Sequence, residues 1–513
     1  MRRSVFRVLT AVVFAALPLL SARAETPAPA DLLQGVSWQY SRDGGKTFSD
    51  QPGEIGPKDA VLARAEFDSS DVPSPAWLEL SHELPGSVQA AFQLNSQALK
   101  GPLEGMNYRT IPALDAGMLR KGRNVLEATL KAAKAKTPPP ATVRASLRLM
   151  LPEHLRFQTA PVLGCVGADY FTVSCRTNLP AKVTIGHIRT SGAKVGMLSV
   201  DGESFGLIHR FRVKVNGADS YDYQLTAAAG NAARASASGR VVVPSPGKPL
   251  RFVALGDNRT NVKDWAQVAS AARAAGGALT IHVGDMVTAG RNDWEWDEHF
   301  FAPAAELFAA APLFPVIGNH EQNAPLYDAF FAVPEGIAET RSWAQQVGDV
   351  LLIGIDGRSD WSADSANARW LEAQLAGTKA KFIFLVSHYP AWTSSRHGGL
   401  DAEGKLKELA TRQGQEVILP LLRKYRATAM IVGHDHGYER SEPPGGVSHI
   451  ITGGAGAPLR DKTKDAEKQN PHSKVYAAKL HYCVFDVRDD RCEMKVFAPD
   501  GQLLDQRAWE ARK

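Results

Sequence analysis

The chain has 513 residues, of which 44% are hydrophobic, 22% charged and 8% aromatic. This composition is that of globular domains with cores and excludes a disordered or collagen-like chain, and at about 150 residues a domain the length predicts about three domains. Residues 1–24 carry four arginines and no acidic residue, which leaves 55 basic against 54 acidic residues in the rest. A net charge near +1 excludes bulk attraction to nucleic acid, so we predict no nucleic-acid partner.

The first 24 residues have the pattern of a secretory signal peptide. Arg2 and Arg3 precede an apolar stretch from Val8 to Leu20, and Ala22-Arg23-Ala24 has the spacing of a cleavage site. We therefore predict a secreted or periplasmic protein that is cleaved after Ala24. The apolar stretch is too short to span a bilayer, and no later run is long and apolar enough, so we predict no transmembrane segment.

Four cysteines form two pairs that are close in sequence, Cys165 with Cys175 and Cys483 with Cys492. Each pair brackets a segment typical of a β-hairpin. In an oxidising compartment both pairs could bridge neighbouring strands. Four buried thiols are the alternative, and the sequence does not decide between the two.

Two β units are predicted before residue 250. In residues 31–155, segments such as Val88–Leu94 alternate apolar and polar residues, and the part from Phe92 to Leu130 loosely resembles galactose-binding-like jelly rolls. Such a domain would contact a glycan or only pack on its neighbour. In residues 156–246, segments such as His209–Val215 alternate in the same way, which favours a small β-sandwich.

The pattern changes to an α/β one from Arg251 onward. Apolar runs typical of buried strands alternate with amphipathic segments of helix length, which predicts layers of helices on sheets. The predicted strands are Arg251–Leu255, Ala278–Val283, Leu313–Ile317, Val350–Ile355, Phe382–Val386 and Ala427–Val432. The predicted helices are 265–275, 293–310 and 364–375.

Polar side chains follow five of these strands directly. They are Asp257, Asp285, Asn319 with His320, His388, and His434 with His436. Open α/β sheets bind ligands at the carboxyl ends of their strands, so these groups are expected at one rim. Carboxylate, amide oxygen and imidazole suit hard-to-borderline divalent metals, and a packed strand end would have apolar residues instead. The pattern therefore predicts a metal site.

The order GD, GD, GNHE, H and GHxH resembles the calcineurin-like metallophosphoesterases over roughly residues 250–460. Within that family, Gly433-His-Asp-His-Gly-Tyr-Glu-Arg440 is similar to the GHxHxYER motif of the purple acid phosphatase branch. His397, nine residues after His388-Tyr-Pro, also fits that branch. The resemblance implies an α/β fold, a four-layer αββα sandwich in residues 250–513, preceded by two all-β sandwich domains, of which the second is fibronectin-III-like.

The resemblance also implies roles for the rim residues. Two metal ions (iron, manganese or zinc) would hold a hydroxide for in-line attack on a phosphoester. The first metal would be held by Asp257, Asp285 and His436, and the second by Asp285, Asn319, His388 and His434. His320 would contact the phosphate or act as an acid, and His397 would protonate the leaving group.

Two positions depart from the purple branch. Thr288 stands where that branch has the tyrosine that binds the first metal, and Arg259 stands where it has glycine and other branches have a histidine ligand. The first metal therefore lacks a ligand under either pattern. The planar fork of Arg259 would bind substrate phosphate or form a salt bridge within its loop.

The function predicted is that of an exported, metal-dependent, acid-phosphatase-like phosphomonoesterase acting on a small phosphoester. A phosphodiesterase acting on nucleotides or lipid head groups is the alternative within enzymes. A carbohydrate-binding surface protein with an idle hydrolase domain is the alternative of a different class.

Overall fold

A computed structural model describes residues 27–85, 87–132, 137–190, 203–230 and 233–512. The predicted signal peptide, residues 1–24, lies outside the described residues. Among the residues that the structure describes, no helix is both long enough and apolar enough to cross a membrane.

The described residues up to Met150 form two antiparallel sheets around one core. Their strands are β1 (Ala30–Asp31), β2 (Trp38–Ser41), β3 (Ala60–Ser69), β4 (Trp77–Glu83), β5 (Val88–Leu94), β6 (Gln97–Ala98), β7 (Thr110–Asp115), β8 (Gly122–Ala132) and β9 (Arg144–Met150). The sheets have the orders β1-β9-β4-β7 and β2-β3-β8-β5-β6. Strict alternation in β3 buries Val61, Ala63 and Ala65, because every second side chain points to the same face.

A second pair of sheets follows, with the orders β10-β11-β14-β13 and β12-β15-β16. Its strands are β10 (Phe157–Val166), β11 (Tyr170–Thr177), β12 (Lys182–Arg189), β13 (Glu203–Phe205), β14 (Ile208–Lys214), β15 (Ser220–Ala229) and β16 (Ala233–Val242). In β15, alternate residues from Tyr221 to Ala229 are buried, as the period-two pattern predicts.

Residues from Leu250 onward combine strands with helices. The strands are β17 (Leu250–Leu255), β18 (Thr280–His282), β19 (Leu313–Pro315), β20 (Gly336–Ile337), β21 (Ser342–Val347), β22 (Val350–Ile355), β23 (Phe382–Ser387), β24 (Ala429–Val432), β25 (Tyr438–Ser441), β26 (Ser448–Thr452), β27 (Ser473–Ala477), β28 (Tyr482–Arg488), β29 (Arg491–Phe497) and β30 (Leu503–Glu510). The α-helices are α1 (Val262–Ala274), α2 (Asp293–Glu295), α3 (Ala305–Phe308), α4 (Pro325–Phe330), α5 (Ala366–Gly377), α6 (Leu409–Gln413), α7 (Leu419–Lys424) and α8 (Ala466–Gln469).

These strands form a six-stranded sheet, β19-β18-β17-β28-β29-β30, and an eight-stranded sheet, β20-β21-β22-β23-β24-β26-β25-β27. The sheets face each other through aromatic rings, since Phe252 of β17 stacks on Phe485 at 4.6 Å and meets Phe384 of β23 edge-on at 5.4 Å. Trp265 of α1 packs in a separate apolar cluster with β17, and Leu371 of α5 packs in another with β22 and β23. This is the α/β fold with preceding β-sheets that the sequence predicts.

The predicted helix over 293–310 is interrupted. Its chain runs as α2, a π-helical segment (Trp296–Phe301), a 3₁₀ turn (Ala302–Ala304) and α3. Pro303 lies in the 3₁₀ turn, where it supplies no backbone N–H for a regular helix.

The four cysteines are free and buried thiols. Cys483 lies opposite Val496 and Cys492 lies opposite Val487 in the β28–β29 pairing, so the two are not cross-strand neighbours. In the β10–β11 pairing, Leu163 lies opposite Val173 and Val166 opposite Phe171, so Cys165, which lies between them, is not opposite Cys175 either. Of the two states that the sequence left open, the structure thus shows four buried thiols. Burial raises the pKa of the Cys483 thiol to about 12.

A buried ion-pair network joins the second pair of sheets to the α/β part. Arg176 of β11 contacts Asp293 and Asp297, both at 3.0 Å, and its side chain is 3% exposed. Ser174 Oγ, on the same strand, donates to the carbonyl of Phe330 at 2.7 Å. One continuous apolar cluster also spans both parts, so they pack as a unit.

Candidate metal centre

The polar residues that the sequence singles out meet where five parallel strands end. Asp257 follows β17, Asp285 follows β18, and Asn319 with His320 follows β19. From the other sheet, His388 follows β23 directly, and the loop after β24 carries His434 and His436. Both sheets therefore contribute to one rim, as their facing arrangement requires.

The backbone at this rim is held in uncommon conformations. Asp257, Asp285 and His434 have φ angles of 54°, 55° and 70°, in the left-handed region that non-glycine residues avoid. Residues strained in this way persist where the surrounding structure holds them, most often at functional sites. Gly433 is needed beside them, because a Cβ there would lie 2.2 Å from Asp257 Oδ2.

One cluster gathers around the His388 ring and is called the second cluster below. His388 Nε2 lies 3.2 Å from Asn319 Oδ1, 3.1 Å from His434 Nδ1 and 3.3 Å from Asp285 Oδ1. The other ring nitrogen, Nδ1, donates to the carbonyl of Val283 at 2.8 Å, which leaves Nε2 of the neutral ring with its lone pair. Four atoms of kinds that can bind a metal thus lie close together.

The other cluster consists of Asp257, Asp285 and His436 and is called the first cluster. One ligand atom from each lies within 4.8 Å of the other two, and all three side chains are buried. His436 Nδ1 donates to the carbonyl of Pro458 at 2.8 Å, so Nε2 faces the two carboxylates. Asp285 belongs to both clusters, in the bridging position that the resemblance implies.

Burial sets the protonation of these groups. It lowers the pKa of His434 and of His436 to about 3, so both rings are neutral and able to bind a metal. Burial, and then the neighbouring Asp285, raise the pKa of Asp257. For Asp285 burial acts upward, but His388 and His320 outweigh it and lower its pKa to about 2.

Arg259 extends into the first cluster. Its Nε lies 3.2 Å from Asp285 Oδ2, and its Nη2 lies 3.4 Å from His436 Nε2. Arg259 thus forms a salt bridge, but its partner is a carboxylate of the neighbouring loop after β18 and not of its own loop. No tyrosine is present at the position of Thr288, whose backbone N–H instead donates to Glu295 at 2.7 Å.

His320 lies on the open side of the rim. Its Nδ1–H donates to the carbonyl of Thr288 at 2.6 Å, and its Nε2 lies 3.9 Å from Asp285 Oδ2. The side chain is 27% exposed, in contrast to those of His388 and His436, which are 0% and 2% exposed. Its free nitrogen is thus on the side from which a substrate would approach.

His397 lies against the second cluster, with its ring 3.7 Å from that of His434. Both ring nitrogens have partners, because Nδ1 donates to Glu408 at 2.5 Å and Nε2 accepts from Arg460 at 3.1 Å. Glu408 also faces His434 Nε2 at 3.4 Å. Burial acts to raise the pKa of Glu408, but the hydrogen bonds from His397 and His434 lower it to about 2.

Three residues near the site were not predicted from the sequence. Glu321 accepts hydrogen bonds from the backbone of Asp285, Met286 and Gly318, and so holds two ligand loops together. It belongs to the GNHE motif, which is the signal that could have pointed to it. Glu408 and Arg460 come from loops that carry no comparable pattern.

The loop after Asp285 is also held by the N-terminal sheets. Asn107 forms a short parallel bridge with Asn292, and Arg291 donates to the carbonyl of Gly105 at 2.9 Å. Arg109 lies 4.2 Å above the ring of Trp294. These contacts connect the first β unit to the segment that contains Thr288, whose carbonyl accepts the hydrogen bond from His320.

Residues 250–438 match the family model of the calcineurin-like phosphoesterases. Tartrate-resistant acid phosphatase type 5 of Rattus norvegicus is 23% identical over 253 residues, which cover 41% of this chain and 73% of that protein. A nucleotide pyrophosphatase/phosphodiesterase of Hordeum vulgare is 27% identical over 185 residues, 32% of this chain and 49% of that protein.

The structure of purple acid phosphatase PPD1 from yellow lupin (Lupinus luteus) seeds is similar in fold, with a TM-score of 0.63 at 15% identity. The similarity covers 88% of this chain and 93% of that one, so it extends beyond the α/β part. The resemblance inferred from the sequence motifs is confirmed. Residues 250–438 are a calcineurin-like phosphoesterase domain, and the chain is a phosphoester hydrolase similar to the purple acid phosphatases.

Proposed function

We propose that the protein is an exported, metal-dependent phosphomonoesterase. The observation that carries this proposal is the second cluster, where four ligating atoms of Asp285, Asn319, His388 and His434 converge. Export rests on the signal-peptide pattern of residues 1–24. The similarity to an acid phosphatase favours a monoester over other phosphoesters.

We also propose the domain organisation that the resemblance implies. Residues 31–155 would be a jelly roll, residues 156–246 a fibronectin-III-like sandwich, and residues 250–513 a four-layer αββα sandwich. Separate apolar clusters on the outer sides of the two facing sheets support the four layers. Glycan contact by the jelly roll has no support, whereas its loop around Asn107 contacts the site loop.

The side chains of the rim fit divalent cations, since neutral imidazoles, carboxylates and an amide oxygen converge there. When bound, such cations supply an activated water and neutralise phosphate charge. The chain itself would bind and orient the ester. His320, through Nε2, and the fork of Arg259 would contact phosphate oxygens.

His397 is proposed to protonate the leaving group. Its Nδ1–H donates to Glu408 and its unprotonated Nε2 accepts from Arg460. Nε2 would therefore have to give up the Arg460 contact and take up a proton from solvent before it could donate that proton to the leaving group. Arg460 would then be free to bind the phosphate. A general acid of this kind contributes about 10²–10⁴-fold to turnover.

The function is tested with the chain from residue 25 to 513. Its hydrolysis of p-nitrophenyl phosphate and of bis-p-nitrophenyl phosphate is compared with manganese, zinc or iron present. Preference for the monoester is the expected result. Preference for the diester would favour the phosphodiesterase, the activity named for the barley relative. No hydrolysis with any metal would favour the idle hydrolase domain.

The iron-loaded protein is expected to be colourless. A tyrosinate bound to iron absorbs visible light, and Thr288 offers no phenolate. Visible absorption spectra of the protein loaded with Fe³⁺ check this expectation. The double variant Thr288→Tyr with Arg259→Gly restores both residues of the purple branch and is the positive control. A band of the purple type in the unaltered protein would contradict the prediction.

Glu408→Gln is expected to lower kcat by about 10–100-fold, the usual effect of losing a carboxylate that orients metal-ligating histidines. Glutamine keeps the size but not the charge that faces His397 and His434. Steady-state kinetics and bound-metal content measure the effect. Glu416→Gln, at an exposed position on the following segment, is the matched control. Equal turnover in the two variants would contradict the proposal that the Glu408 carboxylate orients these histidines.

A further inference from the structure

Arg259 contacts the same atoms that a cation in the first cluster would need. Its Nε lies 3.2 Å from Asp285 Oδ2. Its Nη2–H points to His436 Nε2 at 3.4 Å, and that nitrogen carries the ring's lone pair because Nδ1–H donates to Pro458. Two of the three ligands of the first cluster are therefore already bound to a guanidinium.

Asp285 divides its two oxygens between the clusters. Oδ1 lies 3.3 Å from His388 Nε2 and faces the second cluster, whereas Oδ2 contacts Arg259. A carboxylate in this arrangement bridges a guanidinium and the second cluster. In the purple branch the same carboxylate would bridge two metals.

The loop holds Arg259 in this place. Its backbone N–H donates to the carbonyl of Asp285 at 3.3 Å. The preceding residue, Asn258, donates from its side chain to the carbonyl of Met286 at 2.9 Å and contacts His282 Nε2 at 2.9 Å. The Arg259 side chain is 14% exposed, so a cation could enter only by moving the guanidinium.

The first cluster is also short of ligands. It offers Asp257, Asp285 and His436, and one of these is shared. Thr288 adds nothing, because its side chain is not a phenolate and its backbone groups are bonded to Glu295 and His320. The guanidinium is a positively charged group, so it repels an arriving cation.

We propose that the Arg259 guanidinium takes the place of the first cation, so that the chain holds one tightly bound cation, in the second cluster. This inference rests on the proposed function, which it refines. The guanidinium neutralises the buried pair Asp257 and Asp285 as a cation would. Its Nη1 contacts Thr260 Oγ1 at 3.4 Å, and the N–H groups that these contacts do not use would be available to a phosphate oxygen.

The test counts bound cations in the intact chain. Protein freed of metal is loaded with excess Mn²⁺ and desalted, and manganese per chain is measured by plasma mass spectrometry. We expect one ion in the unaltered protein and two in Arg259→Gly. The Mn²⁺ paramagnetic resonance spectrum should be that of an isolated ion in the first and of a coupled pair in the second.

Matched variants keep this test decisive. Arg358→Gly removes an arginine that is bound to Asp356 and Asn323 rather than to a residue of either cluster, and should keep one ion. Arg259→Met removes the charge but keeps much of the side-chain volume, and it should also bind a second ion. It takes the place of Arg259→Gly in the comparison if the glycine variant does not fold. Thermal melts verify that each variant is folded.

Two outcomes would overturn the inference: two tightly bound ions in the unaltered protein, or one ion in both Arg259 variants. Failure of the proposed function is separate from these. One bound ion without hydrolysis of any phosphoester would contradict the function and leave the role of Arg259 intact. Two bound ions with normal turnover would contradict the role of Arg259 and leave the proposed function intact.

Discussion

Asn319→Ala and His434→Ala are each expected to lower kcat by about 10²-fold or more while the protein stays folded. Each change removes one of the four atoms that converge in the second cluster. The His388 ring is fixed by its bond to Val283, so it cannot shift to fill the vacated place. Steady-state kinetics on a phosphomonoester measure the loss, and metal analysis should show less bound cation.

The two variants should differ little in backbone strain. Position 434 has a φ of 70°, and histidine already bears the strain of this conformation, as alanine would. Asn319 has no positive φ, so neither change adds backbone strain and both test the loss of a ligand. Asn216→Ala, at an exposed position, serves as the control. Near-normal turnover in both site variants would refute the assignment of the second cluster.

Arg176→Met is expected to lower the free energy of unfolding by about 3–5 kcal/mol, the cost of leaving buried charges without their partner. Arg176 is 3% exposed and is bound to Asp293 and Asp297, which are 7% and 12% exposed. Thermal or denaturant unfolding measures the loss. Arg123→Met is the matched control, because its pair with Glu66 is solvent-exposed and should change stability little.

The effect of Arg176→Met should depend on pH. Burial raises the pKa of Asp293, and Arg176 opposes that rise, so removing the arginine raises this pKa further. A carboxyl whose folded pKa lies above its unfolded value costs stability at neutral pH, and protonation relieves the cost. The difference from the unaltered protein should therefore shrink as pH falls below neutrality. A difference that is constant or grows toward acid pH would contradict this account.

Much of the candidate site could be predicted because its signals are local. A glycine and an aspartate directly after an apolar run place a carboxylate at a strand end, as at Asp257 and Asp285, whatever the rest of the chain does. The His-x-His spacing of His434 and His436, directly after an apolar run, likewise places two imidazoles at a strand end. The helices around Trp265 and Leu371 were predicted to within about three residues, since their periodic patterns are strong.

Other features could not be predicted because they depend on register or on distant loops. The cysteine pairs bracket hairpin-like segments, yet strand register places Cys483 opposite Val496 and leaves four thiols. Glu408 reaches His397 and His434 from a loop without any motif. A one-residue change of register or a different loop path would alter these contacts without altering the local pattern.

The sequence by itself determined the order of ligand types along the chain, the α/β texture after residue 250 and the two departures at Arg259 and Thr288. These are properties of neighbouring residues and of composition. Only the tertiary structure decided that the Arg259 guanidinium bridges Asp285 and His436, and that Arg176 joins two parts of the molecule. Such contacts join residues more than a hundred positions apart or in different loops, and packing in three dimensions sets their distances.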